Sequence, residues 1–134
     1  MPSKSFTIDQ ANRVLPRVKR LAREIVKTYR QWHELLVASE VAAAQRIPLA
    51  DAPPTESEIE LQRLAERIAT RIAELEALGV AFRGFEDGLV DFPSHIGGRP
   101  AYLCWRIGEP AVEHWHEAHD GLDGRMRIAP RAIA

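Results

Sequence analysis

Two stretches with the same apolar rhythm, separated by a proline-rich break, constrain this chain more than any other feature. Val18, Ala22, Ile25, Tyr29, Trp32, Leu36, Ser39 and Ala43 recur at alternating steps of four and three. After the break, Leu61, Leu64, Ala65, Ile68, Ile72, Leu75 and Leu78 repeat that rhythm. Steps of this kind put all members of a set on one face of an α-helix. Leu21 and Leu35 widen the first stripe, which favours a packed bundle face over a narrow two-stranded seam.

Local signals mark the helix ends. Thr7 and Gln10 have the spacing of a capping box, and so do Thr55 and Glu58. Pro16 cannot donate to a helical ladder, so a short first helix over Ile8 to about Val14 is expected, with a kink or restart at Pro16 and a main helix to about Gln45. Arg46 to Pro54, with Pro48, Pro53 and Pro54, reads as the loop, and Gly79 as the left-handed residue that ends the second helix. Each helix has one apolar face to bury, so the pair should fold back antiparallel. A main helix of roughly 30 residues would be about 45 Å long. A compact globule of this chain length is only about 36 Å across, so part of the hairpin should project. The economical cover for a projecting stripe is a second copy, and a homodimer through the hairpin is the expectation.

Beyond Gly79 the periodicity shortens. Val80 to Phe85 and Leu89 to Phe92 flank Glu86-Asp87-Gly88 as a hairpin would, with Pro93 restricting the second strand to an edge or marking its end. Gly97-Gly98 supplies the next turn, and Ala101 to Arg106 is the most strand-like run. Pro110 suits the first position of a short helix through about Glu117, after which a loop with Gly121 and Gly124 leads to a last extended run, Arg125 to Ile128. The fold expected is α+β: a long antiparallel helical hairpin (about 8–78), then a small antiparallel β-sheet with a short C-terminal helix (about 80–128). One domain spans 1–134.

Composition narrows the function classes. With 46% hydrophobic and 28% charged residues this is a water-soluble globule, without the apolar length for a bilayer span. The start lacks the pattern of a secretory signal, and Cys104 is the only cysteine, so a reducing cytoplasm is the expected location. The net charge of -1 conceals an asymmetry. Arg13, Arg17, Lys19, Arg20, Arg23, Lys27 and Arg30 oppose only Glu24, whereas the stretch from Glu86 to Asp123 is a local -6. One half therefore docks on the other, or the basic flank of the helix meets an external anion such as nucleic acid, the third of the functional readings.

The tail half carries the residues with chemistry. Asp91 lies among apolar neighbours, where a buried carboxylate needs a partner such as Arg106 or Arg125. Cys104 on a central strand reads as a small buried hydrophobe, and would become a nucleophile only beside a cation or base, with Arg106 and His116 in view. On a helix starting at Pro110, Glu109, Glu113 and His116 or Glu117 would share one face; in an extended chain His114 and His116 would share a side instead. Glu109, Glu113, His114 and His116 are thus the candidate ligands for a divalent metal (zinc, manganese or iron). There is no His-Glu-x-x-His, paired Cys-x-x-Cys, phosphate-binding glycine loop or Gly-x-Ser-x-Gly elbow. Two readings follow. One is a non-catalytic module binding a ligand or partner through Asp91, Cys104, Glu109, His116 and Arg125; the other is a metal-dependent, hydrolase-like enzyme using the same cluster.

An ordered set of short motifs adds a resemblance. Phe6-Thr7, Gly88-Leu89-Val90-Asp91-Phe92-Pro93, Tyr102-Leu103-Cys104-Trp105-Arg106, Gly108-Glu109, Trp115-His116-Glu117, Gly121 and Arg125 span nearly the whole chain. Together they resemble the bacterial family known as domain of unknown function 2203. The resemblance implies a small bacterial protein and carries no assigned activity, so it supports the extent of the domain and adds no mechanism.

Overall fold

The Thr7 hydroxyl accepts the Gln10 backbone N–H while the Gln10 side chain returns to the Thr7 N–H, and from this complete capping box α1 (Ile8–Ala43) begins. The computed structural model describes residues 5–47, 50–120 and 124–128. Within them α1 is followed by α2 (Glu56–Ala77) and five strands: β1 (Ala81–Phe82), β2 (Val90–Ile96), β3 (Arg99–Trp105), β4 (His114–Glu117) and β5 (Met126–Arg127). Pro48 and Gly121 lie outside the described residues.

The break expected at Pro16 does not occur, because α1 continues through it. Pro16 is exposed, while Ala11, Leu15 and Val18 on either side of it are buried in the core. Tertiary packing before and after the proline holds the helix across one missing hydrogen bond. At α2 the Thr55 hydroxyl accepts from the Glu58 N–H at 3.1 Å. At its other end Gly79, with φ 91°, donates to Glu76, and Val80 donates back to Leu75, closing the helix as a left-handed residue does.

The strands form one antiparallel meander in the order β1-β2-β3-β4-β5. Gly97 and Gly98, both at positive φ (59° and 77°), make the two-residue turn that twists β2 into β3. β1 is shorter than the run Val80 to Phe85 suggests, pairing only with Val90 and Asp91. Pro93 therefore lies where β2 has no β1 neighbour, and its carbonyl accepts the Phe6 N–H at 2.7 Å. The edge position expected of the proline is met locally.

The short helix expected from Pro110 is absent: residues 110–113 are bend and loop, and His114–Glu117 is strand β4. Pairing with β3 satisfies the backbone of both strands, which an isolated two-turn helix could not match. Asn12 of α1 secures the preceding loop, accepting the Val112 N–H at 2.7 Å and donating to the Val112 carbonyl at 3.3 Å.

Strand alternation gives the sheet two faces. Val90, Phe92, Leu103 and Trp105 point inward and pack with Leu15, Val18 and Ile25 of α1 and Leu75 of α2. The face turned to the helices is thus the one carrying Ala101, Leu103 and Trp105. The charge asymmetry also meets within the chain: Arg23, Lys27 and Arg30 face Glu86 and Asp87 across a groove of about 630 Å³, and Lys19 donates to the Pro110 carbonyl. Beyond Thr28 no residue of α1 is fully buried, and Val37, Val41 and Ile59 at the loop end of the hairpin are about half exposed. No described helix is long and apolar enough to cross a membrane.

Candidate functional site

The outer face of an antiparallel sheet ordinarily meets water and carries polar side chains. Here its centre is buried. Asp91 sits directly opposite Cys104 in the β2–β3 register, Cys104 opposite His114, and Tyr102 opposite His116. Period-two alternation therefore puts Asp91, Tyr102, Cys104, His114 and His116 on the side away from the helices. Cys104 is fully enclosed, and Asp91 and His116 are each about 5% exposed.

Two adjacent networks occupy this face. In the first, His116 Nε2 is 3.0 Å from Asp91 Oδ1, and Arg83 donates to Asp91 Oδ2 at 3.2 Å. The other nitrogen, His116 Nδ1, is 2.9 Å from the Glu117 carbonyl oxygen. In the second network, Arg125 donates through Nε to Cys104 Sγ at 3.0 Å and through its terminal nitrogen to Glu109 Oε1. Glu109 Oε1 also accepts the Arg106 backbone N–H at 2.8 Å. His114 Nδ1 lies 3.2 Å from Glu109 Oε2, without the alignment of a hydrogen bond.

Burial by itself would raise the carboxyl pKa of Glu109. The Arg125 hydrogen bond, the Arg106 N–H and the nearby positive charges outweigh it, so Glu109 is held below its ordinary value. Cys104 goes the other way: its burial pushes the thiol up, against the opposing Arg125 hydrogen bond and charge. Burial works against Arg125 as well, but bonds to Glu109 and Cys104 keep its guanidinium firmly charged.

All five side chains expected to form a ligand site (Asp91, Cys104, Glu109, His116 and Arg125) thus lie on the outer face in these two networks. The partners differ from those anticipated. Asp91 is held by Arg83 rather than by Arg106 or Arg125, and the cation beside Cys104 is Arg125 rather than Arg106. The quartet Glu109, Glu113, His114 and His116 does not assemble as metal ligands. In a strand His116 turns to Asp91, His114 to Glu109, and Glu113 lies 3.5 Å from Arg127. Two other groups of donor atoms lie within 4.8 Å among the described residues: Asp91, Cys104 and His116, all buried, and the more open Glu117, His119 and Asp120.

Three contributors lay beyond sequence reasoning. Arg83 and Tyr102 join the Asp91 network, with Arg83 5.7 Å above the Tyr102 ring and that ring 5.4 Å from the His116 ring. Asn12 positions the loop bearing Glu109. An asparagine one turn inside an amphipathic helix, past the cap, was the available signal, since that side chain ordinarily favours caps and turns. A recess of about 390 Å³ opens beside Asp91 and His116, walled by Arg83, Leu89, Tyr102, Ala118 and Asp120.

No curated protein and no solved structure matches the chain. A family described as an uncharacterized conserved protein (DUF2203) matches residues 4–128, which include every strand and both helices among the described residues. The chain belongs to that family, as its motifs anticipated.

Proposed function

We propose that this protein is a non-catalytic binding module, dimeric through the free end of its helical hairpin, which takes a small polar ligand in the recess on the outer face of its sheet. The observation carrying the reading is the Asp91–His116 pair, almost wholly buried yet on the face turned away from the core and bordering that recess. Even a paired set of buried charges is commonly no more stable than apolar side chains of similar volume, so a sheet that only had to cover a core gains nothing from them. Arg83, Asp91 and Tyr102 offer a cation, an anion and an aromatic surface, a combination suited to a ligand carrying both charge and an apolar body.

Binding is favoured over turnover by how the remaining groups are held. Glu109 is fixed as a carboxylate by Arg125 and kept from taking up a proton near neutrality, and Cys104 is an enclosed thiol rather than an exposed thiolate. The test is a chemical-shift survey with dicarboxylates, amino acids, sugar phosphates and nucleotides. A ligand should move the resonances of Arg83, Tyr102 and His116, and Arg83→Ala should abolish the response. If no compound at millimolar concentration perturbs these positions, the reading fails.

Support for the dimer comes from Val37, Val41 and Ile59, which leave apolar surface at the loop end where α1 has no buried residue. Light scattering at micromolar concentration should give twice the chain mass of 15.1 kDa, and Val41→Lys should return it to a single chain. A monomer for the unmodified protein would remove this part of the proposal.

A further inference from the structure

We propose that Asp91, Cys104 and His116 form a binding site for one zinc-type divalent cation, an inference that rests on reading the outer face of the sheet as the binding face. Three adjacent strands each contribute one donor, and the oxygen, sulfur and nitrogen atoms lie within 4.8 Å of one another. In a tetrahedral site with metal bonds of about 2.0–2.3 Å, these donors are about 3.3–3.6 Å apart, so a pair at the 4.8 Å limit has to close by about 1.2 Å while Nε2 and Oδ1, now 3.0 Å apart, open by about 0.3 Å.

The hydrogen bonds around the trio provide the second argument. A backbone carbonyl only accepts, so the contact with Glu117 places a proton on His116 Nδ1. In a neutral imidazole Nε2 then presents a lone pair, and it faces the Asp91 carboxylate, another acceptor, at 3.0 Å. A proton between them makes an ordinary imidazolium–carboxylate pair, and a cation that displaces this proton takes both atoms as ligands. A metal ion there would also meet Cys104 Sγ.

Each donor is supported on its far side. Arg83 holds Asp91 Oδ2, the Glu117 carbonyl orients His116, and Arg125 donates to Cys104 Sγ. Such outer partners fix ligand rotamers and are the usual surroundings of a metal site. Arg125 is itself neutralised by Glu109, so it does not place an uncompensated positive charge beside the cation. On binding, the Cys104 thiol gives up its proton to solvent, and the resulting donor set of thiolate, imidazole and one carboxylate oxygen selects zinc over magnesium or calcium. Three protein ligands leave a fourth position, and Asp91 and His116 also line the recess from which a water or ligand atom would reach it.

Cobalt(II) reports on this site directly, because Cys104 is the only sulfur donor of its kind in the chain. Titration of the full-length, reduced protein should give a thiolate-to-cobalt charge-transfer band and strong tetrahedral d–d bands that saturate at one equivalent. Zinc should bleach both. Cys104→Ser should remove the charge-transfer band, and Asp91→Asn and His116→Gln should each weaken binding at least about 10-fold, with circular dichroism showing that the variants fold. His119→Ala, in the neighbouring sulfur-free group, should leave the spectrum unchanged. Absence of the charge-transfer band in the unmodified protein overturns the proposal, as does undiminished affinity in folded Asp91→Asn and His116→Gln. If the band is absent while small ligands still shift Arg83 and Tyr102, the metal site alone is refuted. If the band forms and no small ligand binds, the small-ligand reading fails and the metal site stands.

Discussion

Asn12 joins the helical and strand-rich halves of the molecule, and replacing it should be costly in a way that can be worked through bond by bond. In Asn12→Ala, Val112 loses the acceptor for its N–H, at 2.7 Å, and the donor to its carbonyl, at 3.3 Å. Val112 is only 2% exposed, so water does not replace them. A buried N–H left unpaired costs about 1–3 kcal/mol, and the longer carbonyl bond adds about 0.5 kcal/mol. The bond from Asn12 to the Ile8 carbonyl matters little, since that carbonyl already accepts the helical N–H of residue 12. Alanine returns roughly 0.5 kcal/mol through its higher helix propensity. The net loss should be about 1–3 kcal/mol, or roughly 4–12 °C in melting temperature for a domain of this size. Urea unfolding with linear extrapolation measures it, and hydrogen exchange at the Val112 amide localises it. Asn12→Asp keeps the acceptor and loses the donor, so it should fall between alanine and the native residue. A cost for alanine under about 0.5 kcal/mol with Val112 still protected would mean that the clamp contributes nothing beyond solvent exchange.

Gly88 holds φ at 66°, and a Cβ there would lie 2.3 Å from Ile107 Cδ1, so Gly88→Ala should lower stability by about 1–3 kcal/mol. Adding Ile107→Ala should recover little, since it opens a cavity and leaves the backbone strain; full recovery in denaturant melts would show that φ is irrelevant. Glu109 is held below its ordinary 4.5, so its stabilising contribution is present above that pH and is lost as pH falls through the lower folded value. Glu109→Gln should therefore flatten the acid limb of a stability-versus-pH curve, and an unchanged limb would contradict the Arg125 pairing. For Cys104 the folded pKa is raised from 9.0, so its contribution is complete below about 9 and fades as pH rises towards the folded value. Iodoacetamide should modify the native thiol at least about 10-fold more slowly than the urea-unfolded one, and equal rates would show that the thiol is not enclosed.

The outer-face cluster was partly legible in the chain. Asp91 between Val90 and Phe92 advertised a carboxylate that would need a partner, and the choice of Asp91, Cys104, Glu109, His116 and Arg125 named side chains that do come together. Their pairing was not readable, because strand register fixes who stands opposite whom, and register depends on contacts far apart in sequence. Arg83 reaches Asp91 only because β1 and β2 lie side by side. The same distance in sequence hid the bond from Asn12 to Val112.

What the sequence by itself determined is the set of structures that backbone chemistry settles within a few residues. These are the Thr7 capping box, the Gly79 helix end, the Gly97-Gly98 turn and the apolar stripes that make two helices fold back on each other. Tertiary structure decided the cases in which local preference was weak or opposed. It carried α1 through Pro16, where burial on both sides of the proline outweighs one lost bond. It also drew the segment after Pro110 into β4, because the free edge of β3 offered backbone partners that a short helix could not replace. Local signals act through a residue's own dihedrals and nearest neighbours, whereas edges, registers and buried partners exist only once distant segments have met.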